Sequence, residues 1–145
     1  MTDTQLLRCQ HDDALAMIDR LLVLLGHCGG ADHANLIMRQ LTRLTQLMRV
    51  HFAQEDYCLY PALTASPNAE VAEAARSFRR EMGELWEQYE AFARNWTTLP
   101  AIITEFDAFK AECIAIFGAI EDRCTRENDL LFPLADAVGQ GSPAV

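Results

Sequence analysis

The chain has 145 residues, enough for one domain with a substantial core and too few for two. Half of the residues are hydrophobic, yet charged residues interrupt every apolar run before it reaches the roughly 18 residues that span a bilayer. Twelve basic and twenty-one acidic residues give a formal net charge of -9. This excess of negative charge disfavours nucleic acid and anionic membranes as partners, and we expect neither.

The chain has five cysteines, an odd number, and no CxxC motif occurs among them. The N-terminus mixes polar and apolar residues and carries no recognisable secretory signal. We therefore expect reduced thiols in a cytoplasmic protein.

Four stretches have the apolar spacing of an amphipathic helix, and no stretch alternates like a strand. The first stripe covers residues 7–25, and the pair Gly29-Gly30 is expected to end that helix. The second stripe covers residues 37–55, and its helix is expected to end before Pro61.

The third helix is predicted to begin at Ser66-Pro67, because Ser is a good N-cap and Pro suits the first turn. Its stripe covers residues 71–92. The fourth helix is predicted to begin between Pro100 and Thr104, where residues 104–107 form a variant of a capping box.

Four amphipathic helices with short connections predict an all-α fold, an up-and-down antiparallel four-helix bundle. We expect residues 1–138 to form this single domain. Residues 139–145 are rich in Gly, Ser and Pro and are expected to be a flexible C-terminal tail.

An internal repeat relates the second helix to the fourth. Residues 51–61 align without gaps on residues 123–133, and both segments contain the pattern Glu-x-x-x-Leu-aromatic-Pro. A nearly equal offset sets His11 against Met82. The first half of the chain thus carries a His followed by a His-x-x-x-Glu, and the second half carries a Met followed by an Arg-x-x-x-Glu.

His11, His51, Glu55 and Glu127 all lie on stripes that the pattern directs inward. Buried carboxylates without a partner are rare and costly. A His and a Glu four residues apart can reach one centre, and imidazole with carboxylate suits iron, manganese or zinc. The four residues are therefore candidate metal ligands. Three other interpretations stay open: a hydrogen-bonded core histidine at His11, an ordinary helical pair at His51 and Glu55, and a helix-termination device in the repeated Glu-x-x-x-Leu-aromatic-Pro segment.

His11 and the two repeated segments together resemble the hemerythrin-like (HHE cation-binding) domain family, over about residues 6–137. The resemblance implies an up-and-down bundle with a non-haem di-iron centre. It also implies a His on helices one and three, a His-x-x-x-Glu on helices two and four, and two glutamates that bridge the irons. Members of the family bind dioxygen, sense oxygen or iron, or respond to nitric oxide and peroxide.

The sequence departs from the family pattern at two ligand positions. Met82 stands where the helix-three His is expected, and Arg123 stands where the helix-four His is expected. Met is a poor ligand for iron or manganese, and Arg stays protonated and has no lone pair to give. The Arg123 guanidinium is expected either to bond to Glu55 or Glu127, or to extend to solvent.

Two functional hypotheses follow. In the first, His11, His51, Glu55 and Glu127 hold one metal ion, non-haem iron or else manganese or zinc. A mononuclear site is favoured over a di-iron site, with a role in sensing or responding to oxygen, nitric oxide or iron.

In the second hypothesis the bundle binds no metal. Arg123 then forms a network with Glu55 and Glu127, and the protein acts as a protein-interaction or dimerisation module. Its partner would be a second copy or another protein. No nucleophile motif, phosphate loop or zinc-finger spacing occurs, so the sequence does not indicate an enzyme.

Overall fold

A computed structural model describes the backbone of residues 4–141 and the side chains of residues 4–138. All regular structure in this range is helical, which confirms the all-α class. The helices are α1 (Thr4–Leu24), α2 (Gly30–Gln54), α3 (Tyr60–Thr64), α4 (Ala69–Asn95), α5 (Leu99–Thr104), α6 (Phe106–Arg126) and α7 (Phe132–Gly141). The predicted tail begins inside α7, and residues 142–145 lie outside the described range.

The four long helices, α1, α2, α4 and α6, enclose one hydrophobic core. Helix α1 packs on α2 and α6, and α4 packs on α6. The short helix α5 contacts both α2 and α6, and α3 packs on α4. None of the described helices is both long enough and apolar enough to cross a membrane.

Helices α2 and α6 each continue through a five-residue π turn into a short helix. The first π turn is Glu55–Leu59, and the second is Glu127–Leu131. In each turn the next residue donates its backbone N–H to the carbonyl of the first residue, five positions back. The two π turns occupy equivalent positions of the internal repeat, and each begins at a candidate ligand.

Helix α2 ends at Gln54, before Pro61 as predicted, but the helical path continues beyond it. Residues Tyr60–Thr64 form α3, with Pro61 in its first turn, and the equivalent Pro133 lies in α7. A proline has no N–H to donate, and its ring would clash with the carbonyl four residues back in a regular helix. The wider π turn immediately before each proline accommodates it.

The connections also differ from the predictions. Helix α1 ends at Leu24, and Gly29 is the N-cap of α2, so the glycine pair starts the second helix and does not end the first. Gly30 has a φ of +83°, in the left-handed region that glycine adopts without strain.

The two later helices start at other residues than predicted. Asn68 caps α4, because its side-chain oxygen accepts from two backbone N–H groups, while Ser66 accepts from the N–H of Asn68. Thr98 caps the extra short helix α5. Glu105 precedes α6 without a side-chain capping bond, so the predicted capping box does not form there.

Candidate metal centre

Three of the predicted ligands meet at one buried point. The His11 Nε2 atom lies 3.0 Å from His51 Nε2 and 2.9 Å from Glu127 Oε1. His51 Nε2 is 3.6 Å from the same Glu127 oxygen. The three side chains are at most 2% exposed. Their ligand atoms all lie within 4.8 Å of one another, close enough to share one ion.

The fourth predicted ligand, Glu55, is fully buried beside them. Its Oε1 atom lies 3.0 Å from His51 Nε2, but not in hydrogen-bonding geometry. Within the described part of the chain, neither carboxylate oxygen of Glu55 has a hydrogen-bond partner. Burial, together with the nearby negative charge of Glu127, raises the pKa of Glu55 to about 8. A buried carboxylate without hydrogen bonds is costly unless a cation or a proton neutralises it.

Amide side chains orient both imidazoles. His51 Nδ1 lies 2.8 Å from Gln10 Oε1, and Gln10 in turn donates to Gln54 Oε1 at 2.6 Å. His11 Nδ1 lies 2.9 Å from Asn128 Oδ1. An amide oxygen can only accept, so each Nδ1 carries a hydrogen, and in the neutral ring each Nε2 then directs its lone pair at the centre. Metal-ligating histidines are commonly fixed in this way.

This arrangement is unfavourable for two neutral imidazoles by themselves. Two Nε2 lone pairs 3.0 Å apart cannot hydrogen-bond to each other, so a proton or a cation has to lie between them. Burial lowers the pKa of His51, but the nearby carboxylates of Glu127 and Glu55 outweigh burial and raise it to about 9. The centre therefore favours positive charge. Two nitrogens with carboxylate oxygens form a donor set that fits a divalent iron, manganese or zinc ion.

Arg123 lies in the interior and does not extend to solvent, because its side chain is only 6% exposed. Its Nε donates to Glu127 Oε2 at 2.9 Å. Its Nη2 donates to the Tyr60 hydroxyl at 2.8 Å and to the Phe78 carbonyl at 2.6 Å. The expected bond to Glu127 is thus present, whereas Glu55 accepts no hydrogen bond from it. Arg123 is a fixed positive charge at the edge of the centre.

The charges around Glu127 keep it ionised. Burial by itself would raise its pKa, but the close contacts with His11 and His51 and the charge of Arg123 hold the pKa well below its usual range. The two glutamates therefore differ in environment: Glu127 has a permanent partner in Arg123, and Glu55 has none. Met82, at the other departure from the family pattern, is 4% exposed and packs in the core.

Sequence reasoning missed the residues that support the candidate ligands. Gln10 and Asn128 are each adjacent in sequence to a candidate ligand, which is a weak signal that could have identified them. Tyr60 is the aromatic residue of the first repeated segment, and its role as acceptor for Arg123 follows only from the three-dimensional structure.

An all-helical fold that buries two imidazoles and a carboxylate around one point, with a second buried carboxylate beside them, is typical of helical cation-binding proteins. The family model described as the hemerythrin HHE cation binding domain matches residues 2–135. The chain therefore belongs to this family. A search of the curated proteins and a search of the solved structures found no match.

Proposed function

We propose that this protein binds a single divalent metal ion, non-haem iron in preference to manganese or zinc, and acts in the cytoplasm in sensing or responding to oxygen, nitric oxide or iron. His11 and His51 would supply nitrogen through Nε2, and Glu127 and Glu55 would supply oxygen. The four long helices would form an up-and-down antiparallel bundle around this site. The observation that carries the proposal is the convergence of His11 Nε2, His51 Nε2 and a Glu127 oxygen within 4.8 Å of one another, with the buried carboxylate of Glu55 beside His51 and without a hydrogen bond.

Arg123 and Met82 support one ion over two. The guanidinium lies 2.9 Å from Glu127 Oε2, the oxygen that does not face the histidines, and it would repel a second cation at that oxygen. Met82 contributes a soft thioether where a second ion would need a harder ligand. Two of the nitrogen ligands of a di-iron centre are therefore replaced by side chains that disfavour the binding of a second iron ion.

Different residues would have different roles at such a site. Gln10 and Asn128 hold the imidazoles in place, Arg123 keeps Glu127 ionised and oriented, and the core excludes water. A bound iron ion would supply an exchangeable coordination position for a small ligand. Reversible dioxygen carriage by a di-iron centre is not expected, because the second ion lacks its ligands.

Metal content per chain tests this proposal. The purified protein would be incubated anaerobically with ferrous iron, freed of excess metal and measured by elemental analysis. We expect about one ion per chain and a loss of most of it in His51→Ala, since two imidazoles provide the main neutral ligands. His33→Ala is the matched control, because His33 lies near the start of α2, where its ring contacts the His27 ring, outside the centre. Equal metal content in the two variants would contradict the site.

The Arg123–Glu127 pair favours a second candidate function, a metal-free interaction or dimerisation module. In that case the buried pair would contribute structural specificity while the protein works by binding a partner or a second copy. A folded protein without metal, in the same measurement, would favour this candidate. The oligomeric state by light scattering would then be the next measurement.

A further inference from the structure

A surface cleft lies directly outside the candidate metal centre. It has a volume of about 610 Å³ and is lined by residues of α2, the first π turn and α4. This volume falls in the range of roughly 300–1,000 Å³ that is usual for small-molecule sites. Two buried side chains form part of its wall: Phe52, whose ring contacts the His51 ring, and Met82. The cleft is distinct from the metal centre and uses none of the candidate ligands.

The charged residues of the cleft leave one cation without a partner. Asp56 pairs with Arg79 at 3.4 Å, and Glu90 pairs with Arg94 at 3.9 Å. Arg49 is exposed and forms no salt bridge or hydrogen bond with any residue that the structure describes. The cleft thus offers a positive group on a chain whose net charge is -9.

An aromatic wall stands beside Arg49. The Trp86 ring stacks on the Tyr89 ring with an interplanar angle of 6°. The Phe52 ring contacts Trp86 edge-on, with 5.1 Å between the ring centroids. These contacts fix the orientation of the indole before any ligand arrives, which lowers the entropic cost of binding. An indole face and edge favour contact with another ring.

Gly83 keeps the cleft open. It lies in the middle of α4, where glycine is less favourable than alanine, and a Cβ atom at this position would meet no atom within 4 Å. Packing within the chain therefore does not require a glycine here. The missing side chain leaves room in the cleft for another molecule.

We propose that this cleft binds a small planar organic anion, with its negative group on Arg49 and its ring against Trp86 in the space left by Gly83. Arg49 supplies the specificity for charge, since it can bond in a forked geometry to a carboxylate or a phosphate. Trp86 and Phe52 supply the apolar contact. The proposal does not depend on metal in the neighbouring centre.

Titration calorimetry with 2-naphthoate tests the proposal on the full chain, with a chelator present so that the carboxylate cannot bind through a metal. We expect one molecule bound per chain and about tenfold weaker binding of the neutral 2-naphthamide. Arg49→Gln should weaken naphthoate binding by about tenfold for the same reason. Arg43→Gln, on the same helix but outside the cleft, should leave the affinity unchanged.

A second pair of variants tests whether naphthoate occupies the space left by Gly83 in the cleft. Gly83→Leu should abolish naphthoate binding because the new side chain fills the cleft. Gly118→Leu on α6 is the matched control, since a Cβ atom there also meets no atom within 4 Å. The proposal would be overturned by no binding at about 10 mM naphthoate, a very weak affinity for a specific site. Equal binding of the amide, or equal effects of each variant and its control, would also overturn it.

Discussion

Arg123 Nη2 donates to the Tyr60 hydroxyl at 2.8 Å, and this bond joins the two halves of the internal repeat. Tyr60 belongs to the first repeated segment, and Arg123 opens the second. Burial raises the pKa of Tyr60 well above its usual range, so the hydroxyl stays neutral and can accept from the guanidinium. Together with the bonds to Glu127 and Phe78, it fixes the cation where the family pattern places a histidine.

Replacing this cation should strengthen metal binding. We expect Arg123→His to bind more iron than the parent. The change removes a fixed positive charge and adds an imidazole four residues before Glu127. Elemental analysis after anaerobic loading with ferrous iron is the measurement. Arg126→His is the control, because Arg126 is half exposed and pairs with Glu81. An unchanged iron content in folded Arg123→His would mean that the guanidinium is not what limits the site.

The Arg123 guanidinium should also stabilise the metal-free protein against unfolding. Arg123→Met leaves Glu127 without its guanidinium partner, and breaking a buried ion pair in this way costs about 3–5 kcal/mol. Arg126→Met breaks a largely exposed pair and should cost about 1 kcal/mol or less. Urea unfolding in the presence of a chelator measures both. Similar losses in the two variants would show that Arg123 does not compensate the buried charge.

The metal-free protein should lose stability as the pH rises. The pKa of Glu55 is raised from 4.5 in the unfolded chain to about 8 in the folded chain, so the folded state holds the proton more tightly. The pKa of His51 is raised from 6.5 to about 9 in the same sense. Both contributions are complete below the unfolded pKa and are lost as the pH passes through the folded pKa.

Unfolding of Glu55→Gln checks this pH dependence. In the presence of a chelator, the free energy of unfolding of the parent should fall between about pH 4.5 and pH 9, by at most about 1.4 kcal/mol per pH unit for each proton released. Glu55→Gln should fall less steeply, because glutamine does not ionise. The lowered pKa of Glu127 affects the free energy of unfolding only at acid pH, because the stability that it contributes is lost only as the pH falls below 4.5. Parallel curves for the parent and the variant would rule out Glu55 as the titrating group.

The sequence predicted the all-helical class and the inward position of the four candidate ligands, because burial follows from the spacing of apolar residues. It did not predict the two π turns, since no residue preference marks a bond between residues five apart. In the sequence, the two π turns are marked only by a repeated pattern in which a Glu is followed six residues later by a Pro. The hydrogen bond from Gln10 to Gln54 joins two residues 44 positions apart in sequence, and no local pattern predicts such a contact.

The cysteines should separate into two groups by reactivity. Cys113 and Cys124 are at most 2% exposed, and burial raises the pKa of each thiol to about 12, whereas Cys9, Cys28 and Cys58 are exposed. Only an accessible thiolate reacts rapidly, so brief treatment with iodoacetamide near about pH 8 should label the three exposed cysteines. Peptide mass mapping identifies the labelled sites, and the same reaction in guanidinium chloride, as the control, should label all five. Rapid labelling of Cys113 or Cys124 in the native protein would mean that the core beside α6 opens far more often than its packing implies.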